Sequence, residues 1–154
     1  MTSKIQHVTI NDIEGLKKVV DSSGLFPSSY LDEMISDYLN NAHSKEIWIT
    51  YFENNIPSAI GYCAPEKLTN GTYNLLAIGV SKESQRNGIA TKMLSYIEQL
   101  LKLKDGRILI IETSSDKAQI EARKFYKKNG YIQMSIIKDF WDDGEDKIIF
   151  SKKL

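Results

Sequence analysis

The chain has 154 residues, 42% hydrophobic and 26% charged, and its 20 Lys and Arg balance its 20 Asp and Glu. That profile fits a single globular domain over 1–154 and excludes a disordered chain, a collagen-like repeat or a disulfide scaffold. Charge neutrality argues against a nucleic-acid partner, because phosphate contacts need a basic surface. The lone cysteine, Cys63, can build neither an intrachain disulfide nor a zinc site, so no metal is expected.

The first ten residues alternate polar and apolar side chains without the apolar core of a signal peptide. Apolar runs at 75–80 and 108–111 are strand-sized, too short to span a membrane. The expectation is a cytoplasmic protein in a reducing compartment, with no membrane partner.

Residues 5–10 read as a strand with Val8 and Ile10 on one face. Asn11 or Asp12 then caps a helix carrying Ile13, Leu16, Val19 and Val20 at helical spacing. Residues 24–27 break it, and Ser28 or Ser29 starts a second helix striped by Leu31, Met34, Ile35 and Tyr38. Residues 46–52 and 56–63 form a hairpin around Asn54-Asn55, and a turn at 69–71 leads into a third meander strand, 72–80. Residues 88–103 are a strongly amphipathic helix with Ala90, Met93, Leu94, Ile97, Leu100 and Leu101 inward. An aliphatic strand at 107–113 follows, then a helix at 117–129 closed by Gly130 as a left-handed cap. Two last strands, 131–138 and 147–152, flank an acidic turn. The order predicts an α/β (α+β) fold, a mixed sheet with helices on both faces.

The segment joining the third meander strand to the long helix is the most informative. Residues 80–90 place several backbone N–H groups at a helix N-terminus, where the macrodipole also favours an anion. Gly88 permits close approach by a phosphate, Ala90 keeps the first turn open, and Arg86 adds a cation. A plain strand-to-helix turn with one glycine fits the same residues.

Gln85-x-x-Gly88-x-Ala90, after a strand ending at Val80, resembles the pyrophosphate-binding loop of the GNAT family of acyl-CoA-dependent N-acyltransferases. Downstream, Ala122-x-x-x-Tyr126-x-x-x-Gly130-Tyr131 is similar to that family's second conserved segment, in the right order and at the right separation. The resemblance spans the whole chain. It implies a GNAT-like split sheet, acetyl-CoA as cosubstrate, and acetyl transfer to a primary amine of a small molecule or peptide; a homodimer stays open. It implies that Ile78, Gly79 and Val80 offer main-chain groups to the pantetheine, and that Gln85, Arg86, Asn87, Gly88, Ile89, Ala90 and Thr91 cradle the pyrophosphate. Tyr126 matches the tyrosine that protonates the leaving thiolate, a role open to a phenol facing a cleft. Where many relatives carry a cofactor-touching asparagine, this chain has Gln119, an amide on a longer stem.

Glu112, at the end of an aliphatic strand, resembles the catalytic glutamate of the ribosomal-protein N-terminal-alanine acetyltransferases within the family. Burial would raise its pKa toward that of a base; an exposed, idle strand-end carboxylate is the other reading. Asn74 stands where many members have an acid, and its amide cannot serve as a base, which leaves Glu112 or a water relay. Residues 139–146 combine five carboxylates with Phe140 and Trp141. Trp141, Asp142 and Asp143 are expected to face a cationic acceptor, as in the similar hairpin of the ribosomal-protein enzymes, or else to form a solvated turn. His7 and His43 have no partners at ligand spacing. An acyl-CoA sensor that transfers nothing is the alternative function, and Tyr126 argues against it. A dinucleotide fold would need three loop glycines, and no Ser-His-Asp set is arranged for nucleophilic attack.

Overall fold

Period-two apolar alternation in the first half of the chain builds an antiparallel meander, seen in a computed structural model that describes residues 4–154. Strands β1 (Ile5–His7), β2 (Ile47–Glu53), β3 (Ile56–Pro65) and β4 (Thr72–Val80) lie side by side. Next comes β5 (Ile108–Ser114), then β7 (Glu145–Lys153), with β6 (Ile132–Asp142) at the edge. All neighbours are antiparallel except β4 and β5.

That parallel pair decides the shape of the molecule. β4 and β5 pair only at Thr72–Ile108, Tyr73–Leu109 and Asn74–Ile110. Residues 75–80 and 111–114 then diverge, and the sheet opens into a V. The expected mixed, split sheet is therefore present, and it has helices on both faces. One face carries α3 (Ile89–Lys102) and α4 (Ile120–Lys128). Met93, Leu94, Ile97 and Leu101 of α3 are buried against Ile49, Cys63, Leu75, Leu109 and Phe150. Each such burial stabilises by about 2 kcal/mol. The other face carries α1 (Ile13–Ser23) and α2 (Leu31–Asn40), whose Leu16, Val20, Leu31 and Ile35 pack on Trp48 and Ile60. These two helices cover β2, β3 and β4, leaving β5 and β7 open on that side. No helix among the described residues is long and apolar enough to cross a membrane.

Several boundaries differ from the sequence expectation. The first strand stops at His7, and Ile10, expected to share a strand face with Val8, begins a 3-10 turn and is exposed. Thr9 opens the 3-10 turn, and Asp12, one of the two expected caps, is the N-cap of α1. The Thr9 N–H donates to Asp12 Oδ2 at 2.8 Å while the Asp12 N–H donates back to the Thr9 carbonyl. Ser28 opens a 3-10 turn, held by donation from its N–H and hydroxyl to Asp21, and α2 begins only at Leu31. Residues 117–119 are likewise a 3-10 turn before α4. The largest correction concerns the last hairpin. β6 and β7 extend through the acidic stretch, and the turn shrinks to Asp143 and Gly144 between the paired Asp142 and Glu145.

Candidate functional site

At the open end of the V, β4 runs into the loop singled out in the sequence. Arg86 (φ 65°) and Gly88 (φ 74°) both adopt the left-handed conformation, which curls the chain before α3. For a non-glycine residue this costs roughly 1 kcal/mol, strain of the kind concentrated at functional loops. The first backbone bond of α3 runs from the Lys92 N–H to the Gly88 carbonyl at 3.1 Å. The N–H groups of Ile89, Ala90 and Thr91 therefore have no acceptor within the helix and point out of its N-terminus. No atom lies within 4 Å of the place a Gly88 Cβ would take, so the seat above the loop is open. Gln85 acts on the protein itself: its Nε2 donates to the Val80 carbonyl at 2.9 Å, tying loop to strand. Asn87 Nδ2 donates to the Ser84 carbonyl at 3.3 Å.

The second motif has a direct physical reading. Gly130 (φ 89°) follows the C-cap of α4, the Tyr131 N–H donates to the Tyr126 carbonyl, and the Gly130 N–H donates to the Lys127 carbonyl. This is a Schellman closure, whose usual apolar contact joins the residue after the glycine to the one five places before it. Here that contact is Tyr131 against Tyr126, edge-on at 6.4 Å. The Tyr131 hydroxyl donates to Glu98 of α3, which also holds Lys152 at 2.9 Å. Phe125 and Phe150 complete the aromatic setting of Tyr126 at 5.6 and 5.8 Å. Tyr126 is 8% exposed, and burial pushes its phenol up to about 12. It keeps its proton at neutral pH.

A cleft of about 590 Å³ joins the two motifs. Ile78, Gly79, Val80, Gln85, Arg86, Ala90, Gln119 and Tyr126 all line it; Gly88, Ile89 and Thr91 line an adjoining hollow of about 230 Å³. The sequence reading missed the opposite rim, Ser23, Gly24 and Leu25 at the end of α1. A Cβ on Gly79 would meet Ser23 Oγ at 3.0 Å and Leu25 at 3.1 Å, and the Lys82 N–H donates to Ser22 Oγ at 2.9 Å. Glu121, Ala122 and Phe125 were missed as well. Their helical spacing with Tyr126 and Gln119 was the available signal. Asn74, at the last β4–β5 pair, donates to Glu66 at 2.9 Å, while its Oδ1 is buried with no hydrogen-bond partner among the described residues.

Glu112 stands on the other side of the sheet. It alternates with the core residues Ile111 and Thr113, so it lies on the face opposite Tyr126. It is not enclosed by apolar side chains alone: Lys147 Nζ lies 3.1 Å from its Oε2. The same ammonium sits 4.2 Å from the Phe140 ring centre and 5.8 Å from that of Trp141. Trp141 Nε1 donates to the Thr113 carbonyl at 3.3 Å, which brings the hairpin against β5. The hairpin's carboxylates serve its own backbone. Asp139 accepts from the Gly144 N–H, Asp142 from the Asp143 N–H, and Asp146 from the Asp139 N–H. Glu145 accepts from the Ser114 hydroxyl.

A family model described as an acetyltransferase (GNAT) domain matches residues 43–133. An uncharacterized N-acetyltransferase of Methanocaldococcus jannaschii is 27% identical over 84 residues, 54% of this chain and 53% of that protein. The chain thus spans about half the length of the curated relative it matches. A structure from Desulfovibrio desulfuricans described as a GNAT-family acetyltransferase superposes with a TM-score of 0.91 at 25% identity, covering 97% of each chain. The ribosomal-protein-S18-alanine N-acetyltransferase of Escherichia coli gives 0.78 at 16% identity, over 97% of this chain and 92% of that one, a likeness of fold.

Proposed function

The chain belongs to the GNAT family of acetyltransferases, and from that premise we propose that it moves an acetyl group from acetyl-CoA to a primary amine. The observation that carries the reading is the single cleft lined by the end of β4, the loop before α3, and Tyr126. A thioester-bearing pantetheine arm fits between the diverging strands, whose facing edges do not pair with each other beyond Asn74–Ile110, with its pyrophosphate over the open seat at Gly88. When bound there, acetyl-CoA supplies an activated carbonyl. The lone N–H groups of Ile89, Ala90 and Thr91 and the Arg86 cation hold the phosphates; Gln119 reaches the arm from the start of α4.

The remaining chemistry is assigned to two side chains on opposite faces of the sheet. The amine nitrogen bonds to the carbonyl carbon as the carbon–sulfur bond breaks. Tyr126 gives its phenolic proton to the departing sulfur, which burial has kept on the oxygen. Glu112 takes the proton lost by the amine, through water, from the face that α1 and α2 leave open. The amide and the free thiol of CoA leave, and the two protons balance.

Incubation with acetyl-CoA and a panel of amines, amino acids and short peptides should release thiol only when an accepted amine is present. The chain's own thiol does not interfere, because Cys63 is buried and pushed up to about 12. Binding of acetyl-CoA without thiol release for any acceptor would mark a sensor of the same fold instead.

A further inference from the structure

We infer that Lys147 determines acceptor specificity: it fills, with the chain's own cation, a cage that would otherwise take a positive charge from the acceptor. The inference rests on the acetyl-transfer reading above. A carboxylate and two aromatic rings converging on one point are a recognition site for an ammonium group. Glu112, Phe140 and Trp141 converge in that way, and their occupant is the Lys147 ammonium, at 3.1, 4.2 and 5.8 Å. Phe140 and Trp141 meet edge to face at 4.7 Å, so the cage walls brace each other.

The lysine is built in rather than draped over the surface. It pairs across the ladder with Ser114 on one side and Ile137 on the other, and its side chain is only 12% exposed. The cage lies at the split, since Glu112 is two residues past the last β4–β5 pair. It also lies on the face opposite Tyr126, from which the amine approaches. A second ammonium on the acceptor would meet a like charge where the rings and carboxylate would have welcomed it. The face therefore accepts an amine flanked by neutral or anionic groups and rejects a diamine, or an amine flanked by lysine or arginine.

The test is a ratio, kcat/KM for 1,4-diaminobutane over kcat/KM for butylamine, each with saturating acetyl-CoA. Taking a ratio cancels any change common to both amines. Lys147→Met keeps the stem and removes the charge, and should raise the ratio at least about tenfold at low salt. Lys147→Arg should leave the ratio at the wild-type value, and added salt should shrink the Lys147→Met effect. A second readout needs no turnover. The chain has two tryptophans, and Trp48 is fully buried, so 1,4-diaminobutane entering the cage should perturb the emission of Trp141 in Lys147→Met but not in wild type. An unchanged ratio together with flat emission in Lys147→Met and in Lys147→Gln overturns the inference. Thiol release with butylamine in the wild type keeps the transfer reading standing in that event. No release with any amine would bring down the transfer reading, and the emission change would then show a cage that sets no specificity.

Discussion

Replacing Tyr126 by Phe isolates one oxygen. The ring packs against Phe125, Tyr131 and Phe150, and those contacts survive the change. The hydroxyl has no hydrogen-bond partner among the described residues and lines the cleft, so folding stability at pH 7 should move by less than about 0.5 kcal/mol. Catalysis should suffer far more, with kcat falling roughly 10²-fold, or about 3 kcal/mol in the barrier. The alkaline side gives a second signature. Burial raises the folded phenol from its usual 10 to about 12. A raised pKa contributes stability that is complete below pH 10 and is lost as pH climbs through 12, up to about 3 kcal/mol for a shift of this size. Urea melts at pH 8 and pH 11 should therefore show the wild type losing stability relative to Tyr126→Phe, with the other buried tyrosines cancelling in the difference. Single-turnover mixing of the loaded enzyme with an accepted amine measures the chemical step. An unaltered single-turnover rate would refute the acid role and leave Tyr126 as a packing residue.

The loop seat and the α4 cap can be probed the same way. Gly88→Val puts a branched side chain at φ 74° where no atom lies within 4 Å, so the fold should persist at a cost of about 2 kcal/mol while calorimetric affinity for acetyl-CoA drops more than tenfold. Unchanged affinity would remove the phosphate assignment. Gly130→Ala forces a Cβ onto φ 89° and should cost about 1–2 kcal/mol, seen as a fall in Tm of about 4 °C. Because the closure aims Tyr126, kcat should fall as well, whereas KM for acetyl-CoA should hold.

Legibility in the sequence followed the range of the forces involved. The amphipathic stripe of α3 and the meander were readable because their periodicity is local, and both motifs were readable because each is a turn with its own cap. Gly130 and Tyr126 are four residues apart, and the bond that closes the turn, from the Tyr131 N–H to the Tyr126 carbonyl, spans only five. Lys147 was invisible because it reaches Glu112 only through the β5–β7 register, across 35 positions of chain. The acidic hairpin misled for a related reason. Asp139, Asp142 and Asp143 suggest a loop by composition, yet pairing with β7 and carboxylates that accept backbone N–H groups hold most of it as strand. The rim at Ser23–Leu25 needed knowledge of where α1 ends in space, which no local pattern carries. The left-handed turn at Arg86 was equally hidden, since arginine rarely marks one.

One irregularity in β4 governs which changes of length this lineage can tolerate. Tyr62 pairs with Ala77 and Cys63 with Leu75, so Leu76 is an extra residue bulged from the ladder. Upstream of it, Leu75 faces the α3 core; downstream, Val80 does, and Gly79 faces the end of α1. Deleting the bulge would not merely shorten the strand. It would exchange the two sides from 77 to 80 or drag the loop back by one residue, setting valine against Ser23 and Leu25, where even a methyl group is tight. Insertions and deletions here should accordingly be rare in sequences that keep the cleft. Leu76 itself, half exposed, can change identity as long as a residue stays there to be counted.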